Sequence, residues 1–145
     1  MPHTLKYIVL PERLAVCRAT GDPQLSDPEL SDNAVQGLAP VGSKFSCLVR
    51  TPDEYSFVCE ESLLGPDREG LLVEGGWLAL KLEGPFPFAM AGVLASFIQP
   101  LAEAGIPVFA ISTFDTDYVL IKNENLKQAL TALAAAGHEM VGSES

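Results

Sequence analysis

Two ferredoxin-like units in tandem, each with its elements in the order β-α-β-β-α-β, are the architecture these 145 residues imply. Three observations carry that α+β expectation. The second half of the chain alternates strand-like and helix-like runs in this order. The first half repeats its strand and turn pattern at a fixed, ungapped offset of 63 residues. Finally, 48% of the residues are hydrophobic, enough apolar surface for a core to form.

In the second half, Trp77–Glu83 (WLALKLE) reads as a strand with apolar residues on both faces, opened by Gly75-Gly76 and closed by Gly84-Pro85. Met90, Val93, Leu94, Phe97, Ile98 and Leu101 then recur at helical spacing and form one stripe. Pro100 has no N–H to give, so it is expected to kink that helix or tighten its last turns, and Gly105 ends it. Val108–Ser112 and Tyr118–Ile121 are β-rich runs joined by Thr113–Asp117, a hairpin turn. Asn123 is placed to cap a second helix with the stripe Leu126, Ala129, Leu130, Leu133 and Ala134. Gly137 stops that helix, and Glu139–Val141 supplies a short last strand.

In the first half, Leu14–Thr20 lies under Trp77–Glu83 and Phe45–Val49 under Val108–Ser112. Tyr55 lies under Tyr118, and Glu61 and Leu63 under Glu124 and Leu126. The stretch Asp22–Pro40 falls under the first helix. Pro23, Pro28 and two Asp-Pro steps deny it a helical stripe, so the first unit is expected to have a shortened or irregular helix there. The expected division is an N-terminal unit at 5–64, a linker at 65–76, a C-terminal unit at 77–141 and a tail at 142–145. Units this small need to share a surface. The back of the 88–104 helix (Ala91, Gly92, Ala95, Ser96, Gln99) is small and uncharged where a solvated face would carry Lys and Glu. It is expected to meet another copy of the unit, in the same chain or in a partner.

Charge narrows the function classes. Nineteen acidic against nine basic side chains leave a net charge of -10, which argues against nucleic acid or an anionic membrane as partner. Gly84–Ala102 carries no charge, yet its prolines limit the uninterrupted apolar part to Phe88–Gln99, well short of the ~20 residues a span requires. Cys17, Cys47 and Cys59 are odd in number with no close pair and no nearby His, so neither a disulfide framework nor a zinc site is expected. Asp115 and Asp117 have no further clustered carboxylate or His, so no other metal is expected, and no cofactor. Tyr7–Leu10 is too short for a signal-peptide core. A soluble, cytoplasmic protein follows as the expectation.

Catalysis has little to stand on. His3 and His138 have no sequence context that suggests a base, and no GxSxG, P-loop or GxGxxG occurs. Two segments hold more promise. Gly84–Gly92 (GPFPFAMAG) leads into the N-terminus of an apolar helix, where free N–H groups favour a carboxylate. It serves equally as an ordinary strand–helix connection, since every helix has such an end. Ser112–Asp117 (STFDTD) places Asp115 and Asp117 in a turn, where a carboxylate can hold an ammonium or guanidinium. Asp and Thr are also what turns use to satisfy their own backbone.

The segments Trp77–Glu83, Gly84–Gly92, Gly92–Ser96, Pro100–Ile106 and above all Ile111–Ile121 (ISTFDTDYVLI) resemble the ACT domain. The match covers about half the chain, Trp77 to Met140, and the first half resembles the N-terminal half of small bacterial tandem proteins of that family. The resemblance implies a regulatory or sensor module without catalytic activity that binds a free amino acid at the interface between ACT units. Two units per chain then imply a homodimer, with a regulated protein as a possible further partner. Carried onto this sequence, the ligand-binding residues are Phe88, Ala89, Met90, Ala91 and Gly92 from the loop and Thr113, Phe114 and Asp117 from the turn. Asp117 would hold the cationic end and the helix N-terminus the carboxylate. The loop itself is neutral, so the resemblance leaves the identity of the amino acid open. A module that has lost its ligand and serves assembly alone is the alternative. An acylphosphatase-type enzyme is disfavoured, since no Arg stands near either segment.

Overall fold

The computed structural model describes residues 3–20, 42–66, 68–84 and 91–143. The strands among them are β1 (Lys6–Val9), β2 (Leu14–Ala19), β3 (Cys47–Arg50), β4 (Tyr55–Glu60), β5 (Leu71–Leu82), β6 (Phe109–Ser112), β7 (Asp117–Lys122) and β8 (Glu139–Ser143). The helices are α1 (Val93–Glu103) and α2 (Leu126–Ala135), and 3-10 turns at Glu61–Leu63 and Asn123–Asn125 follow β4 and β7. Among the described residues no helix is long and apolar enough to cross a membrane. The chain forms two compact units, Met1–Glu12 together with Trp77–Ser145, and Arg13–Gly76. They are called the C-terminal and the N-terminal unit below.

The C-terminal unit corrects the expected boundaries. Residues before Arg13 belong to it and not to the first repeat. From Trp77 onward β5 pairs antiparallel with β7, and β6 completes the hairpin with β7. On its other side β5 pairs antiparallel with β1, Tyr7 standing opposite Leu82, and β8 runs parallel to β1. A plain split βαβ unit would seat its last strand directly beside its first. Here β1 lies between them. The physical reason is in its alternation: Tyr7 is 2% exposed and meets Phe97 edge-on at 5.3 Å, in a core with Leu80, Leu82, Leu101, Val119, Ile121 and Leu133. The α1 stripe is as expected, with Val93, Phe97 and Leu101 buried, but the helix opens only at Val93. Asn123 caps nothing; it starts the 3-10 turn that leads into α2.

In the N-terminal unit β2 lies between β4 and β5, and β3 is the edge strand. The 65–76 stretch is only partly a connection, because Leu71–Gly76 forms the first half of β5. Leu71 and Val73 close over Ala15, Cys17, Phe57 and Cys59. Between β4 and β5 this unit has a 3-10 turn where the other has α2. The expected irregular helix at 22–40 lies outside the described residues.

Strand pairing also revises the offset between the copies. Arg18 stands opposite Ser56 and Lys81 opposite Tyr118, so the first strands are 63 residues apart and the hairpins 62. Cys47 opposite Val58 matches Phe109 opposite Leu120, which again gives 62. The counterpart of Tyr55 is therefore Asp117, not Tyr118.

Pro100 shows how the fold accommodates an irregularity. Inside α1 it cannot give the N–H that would bond the Ser96 carbonyl. That carbonyl instead accepts from His138 Nε2 at 2.9 Å. His138 is 5% exposed, and its Nδ1 accepts the Leu5 N–H at 3.0 Å, which fixes the proton on Nε2. One imidazole thus satisfies a carbonyl freed by proline and the Leu5 N–H just before β1.

Candidate functional site

The hairpin between β6 and β7 is built by its own side chains. Thr113 N–H donates to the Thr116 carbonyl at 2.8 Å, and Thr113 Oγ1 accepts from Thr116 N–H at 3.3 Å. Thr116 is buried, and its Oγ1 donates to the Leu82 carbonyl at 2.7 Å, tying the turn to the end of β5. Just before the turn Ser112 Oγ donates to Asp117 Oδ1 at 2.5 Å. That hydrogen bond orients the carboxylate, which remains partly exposed.

Strand alternation settles the face on which Asp117 lies. Val119 and Ile121, two and four residues on, face the core beneath α1 and α2. Asp117 therefore lies on the helix-bearing side, at the sheet end where β5 finishes. The N-cap of α1 is Gly92, with φ 82°, a left-handed conformation that costs glycine nothing. Among the described residues no side chain caps this end, and no acid stands in its first turn, so its first-turn N–H groups suit an anion. His3 holds the same end: its N–H donates to Ser96 Oγ at 3.1 Å and its Nε2 meets the Ala91 carbonyl at 3.0 Å.

Of the residues expected to bind ligand, Thr113, Phe114 and Asp117 share one turn, and Ala91 and Gly92 stand at the start of α1. Phe88, Ala89 and Met90 lie outside the described residues. Thr113 is occupied in shaping the turn, whereas Phe114 is 79% exposed. Sequence reasoning missed Ser112, Thr116, His3 and His138. Of these, Ser112 could have been found from its cross-strand position beside Asp117, and a donor for Ser96 from the presence of Pro100.

An open cavity of about 260 Å³ adjoins the turn, lined by Lys81, Glu83, Gly84, Asp115 and Thr116. Lys81 pairs with Tyr118 on the face away from the helices, so this cavity is not the surroundings of Asp117. No cysteine is poised as a nucleophile. Burial, ahead of the neighbouring Cys59, pushes the Cys17 thiol up to about 12, and burial also raises Cys47 and Cys59. No group of three or more His, Cys, Asp or Glu able to hold a metal ion occurs among the described residues.

Comparison with known proteins bears on the family and the fold. The family model described as ACT domain matches residues 72–135. The cytosolic arginine sensor for mTORC1 subunit 1 of Bos taurus is 33% identical over 99 residues, covering 63% of this chain and 30% of the sensor. The chain spans between 30% and 57% of the length of such curated relatives. The crystal structure of protein Atu0741 from Agobacterium tumefaciens superposes with a TM-score of 0.77 at 30% identity, covering 99% of this chain and 96% of that one. The ligand-free regulatory subunit of aspartate kinase from Thermus thermophilus shares the fold, with a TM-score of 0.59 at 13% identity over 86% of this chain and 93% of that one. The ACT-domain match over residues 72–135 includes the β6–β7 hairpin, and the chain shares its fold of two ferredoxin-like units with regulatory subunits of aspartate kinase.

Proposed function

We propose that this chain is a non-catalytic, cytoplasmic regulatory module that binds a free amino acid and acts as a homodimer. The ligand is held where the C-terminal unit meets an ACT unit of a second copy. Asp117 takes its ammonium or other cationic end, and the first-turn N–H groups of α1 take its carboxylate. Phe88–Gly92, Thr113 and Phe114 line the same site. The observation that carries this reading is the Ser112–Asp117 pair, a carboxylate oriented on the helix-bearing face at the sheet end where β5 finishes. The relatives give independent support: one is named a cytosolic arginine sensor, another a regulatory subunit of aspartate kinase. A thermal-shift screen of the twenty common L-amino acids against the full chain tests it. The reading expects at least one to raise the melting temperature in a concentration-dependent way. A flat response to all of them contradicts it.

A second reading, assembly without ligand, is favoured by one feature. Ala95 and Gln99 are exposed on the outer side of α1, where no charge precedes Glu103. Under that reading Ala95→Glu converts a dimer to a monomer by light scattering, and no amino acid shifts the melting temperature. An unchanged mass removes this face from consideration.

A further inference from the structure

We infer that the two units are unequal at their turn ends, each chain having one position for the cationic end of a ligand, at Asp117, while Arg50 and Tyr55 close its counterpart. The inference rests on the reading of Asp117 given above. Cross-strand pairing identifies the counterparts without recourse to sequence identity. Ser112 stands opposite Asp117 one step before its turn, and Arg50 stands opposite Tyr55 in the same place.

The turns themselves are alike. Thr51 N–H donates to the Glu54 carbonyl at 2.9 Å, as Thr113 N–H does to Thr116 at 2.8 Å. In each, the threonine Oγ1 accepts from the N–H three residues on, at 3.1 Å from Glu54 and 3.3 Å from Thr116. The turn is thus the same in both units and the pair beside it differs. In the C-terminal unit that pair is a hydroxyl donating to a partly exposed carboxylate. In the N-terminal unit a tyrosine ring, 4% exposed, fills the position, and the Arg50 guanidinium carbon lies 5.2 Å from its centroid. The ring occupies space that an aspartate leaves open. The guanidinium above it has only donors, so it offers an ammonium group no acceptor. The acid closest in sequence, Glu54, is engaged elsewhere: one oxygen accepts from Ser56 Oγ at 2.7 Å and the other lies 3.7 Å from Arg18 Nε. The same turn therefore serves a carboxylate in one unit and a guanidinium in the other, and only the first matches a cationic group.

Calorimetric titration of the full chain with the amino acid that gives the largest thermal shift among the twenty common L-forms tests this. The expected stoichiometry is one per chain. Asp117→Asn weakens binding by about tenfold or more, while Arg50→Ser, a change at an exposed side chain, leaves it within about twofold. Circular dichroism of each variant checks that it is folded. A stoichiometry of two per chain, or binding lost in Arg50→Ser and kept in Asp117→Asn, overturns the inference while leaving amino-acid binding standing. Absence of binding by every amino acid refutes the underlying reading, and the inference with it.

Discussion

At Pro100 the chain gives up one helical hydrogen bond, and His138, 42 residues beyond Ser96, makes good the loss by donating to the Ser96 carbonyl. Truncating the imidazole with His138→Leu leaves that carbonyl and the Leu5 N–H without partners, at a cost of about 3 kcal/mol. In a Pro100→Ala background residue 100 regains its N–H and Ser96 regains a donor. The cost of His138→Leu is then expected to fall by about 1 kcal/mol, measured as coupling in a urea-denaturation double-mutant cycle. Additive effects would show that the two residues act independently. Cys17 makes a second residue-scale prediction. Its folded-state thiol is raised by burial to about 12 from 9.0, so the folded chain keeps a proton that the unfolded chain releases. That stability is fully present below about pH 9 and is lost as the pH rises toward 12. The urea midpoint should decline across this window, less steeply in Cys17→Ala. The helical stripe Val93, Phe97, Leu101 was legible in the sequence because its periodicity is local. The role of His138 was not, because its partners come from two other elements.

Elements built from local chemistry were read well, and those built from distant pairing were not. The β6–β7 hairpin follows from Thr113 and Asp115 beside β-rich runs, and it forms with bounds one residue wider at each end of β7 than expected. By contrast β1 has four residues and no internal signal of where it docks; only the gap between β5 and β8 defines it. The single-residue slip between 63 and 62 also escaped, since few identities mark it, and it concealed that Tyr55 occupies the place of Asp117. Thr116 offers a test at this scale. Thr116→Val keeps the shape but removes the bond to the Leu82 carbonyl, and should cost about 1 kcal/mol. Because the same bond holds the turn that carries Asp117, ligand affinity should weaken as well. Stability loss without an affinity change would separate the turn from the site.

For the whole molecule, the consequence of β1 is that the C-terminal unit is discontinuous. Residues 77–145 alone lack the strand that stands between β5 and β8 and lack Tyr7 from the core. That fragment is expected to give poorly dispersed amide NMR spectra, whereas residues 1–12 joined to 77–145 through a flexible linker should give a dispersed, folded spectrum. A folded 77–145 fragment would contradict the account. The net charge is -10, and Asp117 is an acid on the helix-bearing face of this unit whose carboxylate accepts from the Ser112 hydroxyl. The central claim is that this carboxylate holds an amino acid. Calorimetry of wild type and Asp117→Ala with the amino acid selected by thermal shift tests it most directly. The account predicts saturable binding in the wild type and a loss of about tenfold or more in the variant, at unchanged circular dichroism. Equal affinity in the two proteins would contradict it.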